Sequence, residues 1–80
     1  MTDEEILKHL SLIVSEETGD DAELSRESTA DDVPGWDSVA HSRIMLRAEQ
    51  AFKVRLDTDV FYSLATVGDL IDYLRKQMAA

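Results

Sequence analysis

The chain predicts an all-α fold, a four-helix bundle with a short third helix and a long loop between helices 1 and 2. Three observations carry this. Apolar residues recur at helical spacing in three separate stretches. Residues that cap helix starts stand just before those stretches. One Pro and three Gly leave few breaks, while 44% hydrophobic content is enough for a compact core. Eighty residues make a single domain spanning 1–80. A domain of this size buries only about 60% of the surface its unfolded chain exposes. That leaves no room for a deep active site built from many residues.

The first helix opens at Thr2, an N-cap with Glu5 three residues on to complete a capping box. Asp3 and Glu4 suit the positive helix end. Ile6, Leu7, Leu10, Ile13 and Val14 supply the apolar face, and the helix runs from about Asp3 to Glu17, stopping before Gly19. From Asp20 to Asp37 no period is sustained. Ser25, Ser28, Thr29, Asp31, Asp32, Pro34 and Gly35 favour turns, and Leu24, Val33 and Trp36 are expected to pin the loop to the core. Unstructured connections of this length tend to be functional or disordered.

The second helix is expected from about Ser38 to Lys53. At 100° per residue, His41, Ile44, Met45, Ala48, Ala51 and Phe52 share its inner face. Ala40, Arg43, Arg47 and Gln50 lie opposite, with Arg43 and Arg47 presenting two charges on one exposed stripe. Asp57-Thr58-Asp59 begins a short third helix through about Ser63, with Val60, Phe61 and Leu64 inward. Thr66 caps the fourth helix, with Asp69 at the third helical position. Val67, Leu70, Ile71, Leu74 and Met78 form its stripe, and Arg75 and Lys76 stand near its negative end.

Charge narrows the function. Of the net −9, residues 1–37 hold twelve acids against Lys8 and Arg26, and residues 38–80 hold five acids against six bases. Such a chain is repelled by nucleic acid and by anionic membranes, and is steered toward basic patches on proteins. The absence of Cys excludes disulfides, thiolate metal sites and a cysteine nucleophile, so any thiol chemistry needs a thiol added from outside. No run approaches the roughly 18 apolar residues of a membrane span, and Met1-Thr2 leads into three acids, with no basic and apolar stretch of the kind a signal sequence needs. A soluble cytoplasmic protein is the expectation.

The segment Val33-Pro34-Gly35-Trp36-Asp37-Ser38-Val39 ends the acidic loop and opens the second helix. A serine there has its hydroxyl beside unpaired N–H groups at the positive end of a helix, a favourable place for a phosphate ester. This motif, the helix order around it and the later Thr66-Val67-Gly68-Asp69 together resemble the acyl carrier proteins over nearly the whole chain. The likeness is to free-standing carriers with a Gly-Trp-Asp-Ser motif and a His shortly after, here His41.

The resemblance implies that a phosphopantetheinyl transferase, using magnesium, esterifies Ser38 with 4′-phosphopantetheine from coenzyme A. The arm's thiol would then carry an acyl group as a thioester. An acyl-loading ligase or acyltransferase would charge it, and acyl-processing enzymes of a fatty acid, polyketide or other specialised pathway would use it. No catalysis by the chain itself is implied, and a monomer is expected. Two departures bear on partners. Val39 replaces the usual Leu, a small apolar change. Where many carriers show a row of acids on the second helix, this chain has Ala40, Arg43 and Arg47, with only Glu49 near the end. Replacing an acid by Arg removes one attraction and adds a repulsion, which separates partners. The acidic docking surface is therefore expected on the loop, at Asp31, Asp32 and Asp37.

Each of these residues also has a plainer reading. Ser38 is itself a good N-cap, and Asp37 suits the helix dipole as well as it suits a transferase and its metal. Trp36 reads as a loop anchor that also borders the partner surface. His41, one turn after Ser38, invites a hydrolase reading, but there is no Gly-x-Ser-x-Gly elbow, no oxyanion hole and no third orienting group beyond a nearby Asp. It is assigned to the mouth of the core, packed there or touching the arm. His9 is a surface or boundary residue. The acid-rich loop lacks calcium-loop spacing, so no metal site is assigned. Two alternatives stand beside the acyl carrier: an aminoacyl or peptidyl carrier of a nonribosomal pathway, and an unmodified acidic helical interaction module.

Overall fold

A computed structural model describes residues 1–79. Its elements are α1 (Asp3–Thr18), a 3-10 turn (Ala30–Asp32), α2 (Ser38–Phe52), α3 (Thr58–Ser63) and α4 (Val67–Ala79), with no strand among the described residues. The four helices are those expected, and the 3-10 turn was not foreseen.

Local chemistry fixes the helix ends. Thr2 and Glu5 form the expected capping box, with Thr2 Oγ1 accepting from the Glu5 N–H at 3.2 Å and Glu5 Oε1 accepting from the Thr2 N–H at 2.9 Å. Thr66 and Asp69 repeat the device at α4, at 3.1 and 3.3 Å. Asp57 caps α3 by accepting from the Val60 N–H. α1 ends at Gly19 in the left-handed region. α2 ends one residue earlier than expected, because Lys53 leaves the helix at φ 55°. That conformation costs a side-chain-bearing residue about 1 kcal/mol or more.

Ile6, Leu10, Ile13 and Val14 of α1 pack with Ile44, Ala48 and Phe52 of α2, Phe61 of α3 and Val67, Leu70, Ile71 and Leu74 of α4. Leu24 and Val33 are buried, so the loop is pinned as expected, and Leu56 joins them from the α2–α3 connection. No polar side chain is buried among the described residues.

Two expectations about α2 are corrected. Ala40 is buried and Ala51 is exposed, the reverse of the helical-wheel placement. The buried row is Ala40, Ala48, Ile44 and Phe52 at strict i, i+4 spacing, a ridge that winds around the helix rather than running straight along it. Arg43 is exposed, but Arg47 is not a free charge on the same stripe. Its guanidinium reaches Glu16 at 2.6 Å and Glu17 at 3.3 Å, tying α2 to the end of α1. Glu49 likewise turns inward along its helix to accept the Leu56 N–H at 2.9 Å. In α3 only Phe61 is buried, Leu64 is half-buried and Val60 is 40% exposed, because a six-residue helix offers a single inward position per turn. Arg75 does not serve its own helix end; it bonds the Met1 carbonyl at 2.9 Å and Asp3 at 3.2 Å. His9 is exposed and meets Phe52 edge-on.

Candidate functional site

The segment before α2 is set by a close approach. Gly35 has φ +86°, and a Cβ there would lie 2.7 Å from the Thr18 carbonyl oxygen. Only glycine lets the loop press against the end of α1 at this angle. The Trp36 N–H donates to the Val33 carbonyl and the Asp37 N–H to the Gly35 carbonyl, closing the turn. Trp36, Asp37 and Ser38 are thereby aimed as a unit.

Asp37, rather than Ser38, is the N-cap of α2. Its Oδ1 accepts from the Ala40 N–H at 2.9 Å, and its carbonyl accepts the first helical bond, from His41. Ser38 is the first helical residue and is exposed, as is Val39, at 61%. The cap is thus supplied by the neighbouring carboxylate, and the Ser38 hydroxyl has no capping duty. The N–H groups of Ser38 and Val39 fall in the first turn, where helix geometry provides no acceptor. An exposed hydroxyl beside two such donors fits a phosphate ester.

Behind Ser38 stands an aromatic group. Trp36 is half-buried and its Nε1–H donates to His41 Nδ1 at 2.9 Å. The His41 ring lies 4.6 Å from Phe61 and 4.8 Å from Tyr62, edge-on to the latter. Burial holds the His41 pKa below its ordinary value. Because Nδ1 accepts, the neutral ring carries its proton on Nε2. Tyr62 in turn shares a 2.6 Å hydrogen bond with Ser42, joining α3 to α2.

Asp31, Asp32 and Asp37 are all exposed on the approach to Ser38. Asp32 and Asp37 also have local work, Asp32 accepting the Thr29 N–H at 2.9 Å within the 3-10 turn. Along α2 the exposed face holds Val39, Arg43 and Leu46, the last 53% exposed. Sequence reasoning missed Leu46 and Tyr62. Leu46 was legible as the residue seven after Val39, hence on the same face. Tyr62 had no such signal. Among the described residues no cluster of His, Asp or Glu could hold a metal ion, and no helix is long and apolar enough to cross a membrane.

Known proteins resemble this chain in sequence and in fold. The family described as "Phosphopantetheine attachment site" matches residues 8–74. The acyl carrier protein of Kineococcus radiotolerans is 39% identical, with 91% of each chain covered. That of Renibacterium salmoninarum is 38% identical, with 98% of each covered. Among solved structures, the holo acyl carrier protein from Geobacter metallireducens superposes with a TM-score of 0.79 at 32% identity, covering 91% of this chain and 85% of that one. The acyl carrier protein of Thermotoga maritima shares the fold, with a TM-score of 0.82. The chain belongs to the acyl carrier protein family, whose members are carriers rather than enzymes and hold 4′-phosphopantetheine covalently.

Proposed function

We propose that Ser38 is the residue that carries the 4′-phosphopantetheine arm. The observation that carries this is the division of labour at the start of α2, where Asp37 caps the helix and Ser38 stays exposed with its hydroxyl unused by the cap. A phosphopantetheinyl transferase joins the Ser38 oxygen to the phosphate of the arm as the pyrophosphate P–O bond of coenzyme A breaks; adenosine 3′,5′-bisphosphate leaves, and the hydroxyl proton is released. The arm supplies a thiol that this cysteine-free chain lacks, and the thiol holds an acyl group as a thioester. The loaded carrier is passed among a loading ligase or acyltransferase and acyl-processing enzymes of a fatty acid, polyketide or other specialised biosynthesis, in the cytoplasm and as a monomer.

The proposed recognition surface comprises Trp36, Asp37, Val39 and Arg43 around Ser38. Arg47 contributes chiefly by holding α2 against α1, and His41 borders the arm. Exposed Val39 and Leu46 flank Arg43, so a partner suited to this face offers an apolar contact and an acid. The loop carboxylates Asp31 and Asp37 suit a basic patch on the same partner or on the transferase.

Intact mass decides the central assignment. The chain is incubated with coenzyme A, magnesium and a broad-specificity phosphopantetheinyl transferase, beside Ser38→Ala. One added phosphopantetheine on the wild type alone is expected. Equal modification of Ser38→Ala, or none on folded wild type, sinks the proposal.

A further inference from the structure

An open groove lies beside Ser38, between the start of α2, the end of α3 and the loop before them. Ala30, Trp36 and Leu64 give it an apolar side, and Asp37, His41 and Tyr62 line the rest. It offers about 380 Å³, at the small end of the range for small-molecule sites.

The polar groups there are engaged only in part. Asp37 Oδ1 accepts the Ala40 N–H, and its other carboxylate oxygen has no partner among the described residues. His41 Nδ1 accepts from Trp36, which leaves the proton of the neutral ring on Nε2. Among the described residues no side-chain nitrogen or oxygen is both buried and unpaired. His41 Nε2 has no protein partner, so it faces open space. Tyr62 and Ser42 share one hydrogen bond between two hydroxyls, at 2.6 Å. Whichever of them donates, one proton of the pair is left to give. The seam thus presents two unused donors and an unused acceptor beside an apolar wall.

That set fits the first part of a phosphopantetheine arm. After the phosphate come a carbon bearing two methyls, a carbon bearing a hydroxyl, and an amide. The methyls suit Trp36 and Leu64. The amide carbonyl accepts from an N–H or O–H donor, and the hydroxyl and amide N–H can give to Asp37. The same carboxylate repels the phosphate, so the neutral stretch, and not the charged end, suits that side. Water competes for all of these groups, but attachment at Ser38 keeps the arm at high local concentration.

Resting on the Ser38 assignment proposed above, we infer that His41 and Tyr62 hold the neutral root of the arm, from its paired methyls to its first amide, in this groove. Tyr62 is then a binding residue as well as a tie between α3 and α2.

The test attaches an arm labelled with ¹⁵N and ¹³C, from labelled coenzyme A and the same transferase, to wild type, Tyr62→Phe and Ser42→Ala, each product confirmed by mass. Nuclear magnetic resonance follows the exchange of the first arm amide with water, beside the same amide in free coenzyme A. Exchange on wild type is expected to slow by more than about threefold, as for an amide held most of the time. The paired methyls should show cross-relaxation to the ring protons of Trp36 and Tyr62. Tyr62→Phe keeps the ring and the net charge but loses the hydroxyl, and exchange should speed up by about twofold or more. Ser42→Ala breaks the tie to α3 and leaves the phenol, so protection should persist. Exchange on wild type equal to that of coenzyme A overturns the inference. Equal loss of protection in both variants also overturns it, because the tyrosine would then serve only to place α3. A wild type that takes up no arm overturns the Ser38 assignment itself, an outcome visible in the mass before any exchange is measured.

Discussion

Trp36 donates its indole N–H to Nδ1 of His41 across 2.9 Å, so a loop residue and a helix residue five positions apart close the wall beside Ser38. The bond fixes the His41 tautomer and turns the imidazole into a packed aromatic surface against Phe61. Replacing Trp36 by Phe keeps an aromatic ring but leaves Nδ1 without its donor. A stability loss of about 0.5–1.5 kcal/mol is expected, read from urea unfolding. The His41 pKa should rise in the same variant, because Nδ1 becomes free to take a proton. An unchanged titration of the His41 ring protons would contradict this account.

The same histidine makes the fold sensitive to mild acid. Burial depresses its folded pKa below the ordinary 6.5. The unfolded chain therefore binds the proton more readily, and stability rises with pH between the two values. The contribution is fully present above pH 6.5 and is lost as pH falls through the depressed folded value. Thermal unfolding followed from pH 7.5 downward should show Tm falling below about pH 6.5. A His41→Gln chain should show a flatter profile in that window, where the carboxylates contribute less.

Gly35 is expected to be intolerant of substitution. Gly35→Ala meets the Thr18 carbonyl at 2.7 Å and must also hold φ +86°. A loss of roughly 1–3 kcal/mol follows from the strained backbone, with a further part from the contact. Because the same turn aims Ser38, modification by the transferase should slow in the fraction that remains folded. Urea unfolding and the initial rate of mass gain check the two effects separately.

Arg43 and Arg47 should separate into different roles. Arg47→Ala breaks the ties to Glu16 and Glu17 and is expected to cost about 0.5–1 kcal/mol, less in high salt. Arg43→Ala should leave stability within about 0.5 kcal/mol of wild type, as for an exposed substitution without contacts. Its effect should appear in partner kinetics, as a change in the loading enzyme's kcat/KM that fades with ionic strength.

What could be read from the residues was what is local. The Thr2–Glu5 and Thr66–Asp69 caps, the four helices and the anchoring of Leu24 and Val33 all follow from spacing within a few positions. The exposure of Ser38 was legible too, since it opens a helix after a turn-rich segment. What escaped depends on how helices cross. Ala40 and Ala51 exchanged places because the buried ridge of α2 winds with i, i+4 spacing. The partners of Arg47 lie 30 and 31 positions earlier, and no pattern within α2 points to them. The Trp36–His41 bond needed the turn geometry of Gly35, which composition does not specify.

The loop ahead of Ser38 is held at several points along its length. The Ala22 N–H bonds Ser15 Oγ, and the carbonyls of Arg26 and Ser28 accept the first N–H groups of α4 at 2.8 Å. Arg26 grips Asp72 with two bonds, and Gly35 rests on Thr18. An eighteen-residue span is thereby cut into short closed stretches, none with much freedom of its own. On the proposed assignment, this gives the tether a fixed root. The local concentration of cargo that a docked enzyme meets is then set by the length of the arm and by the docking pose, with little added spread from the protein beneath it.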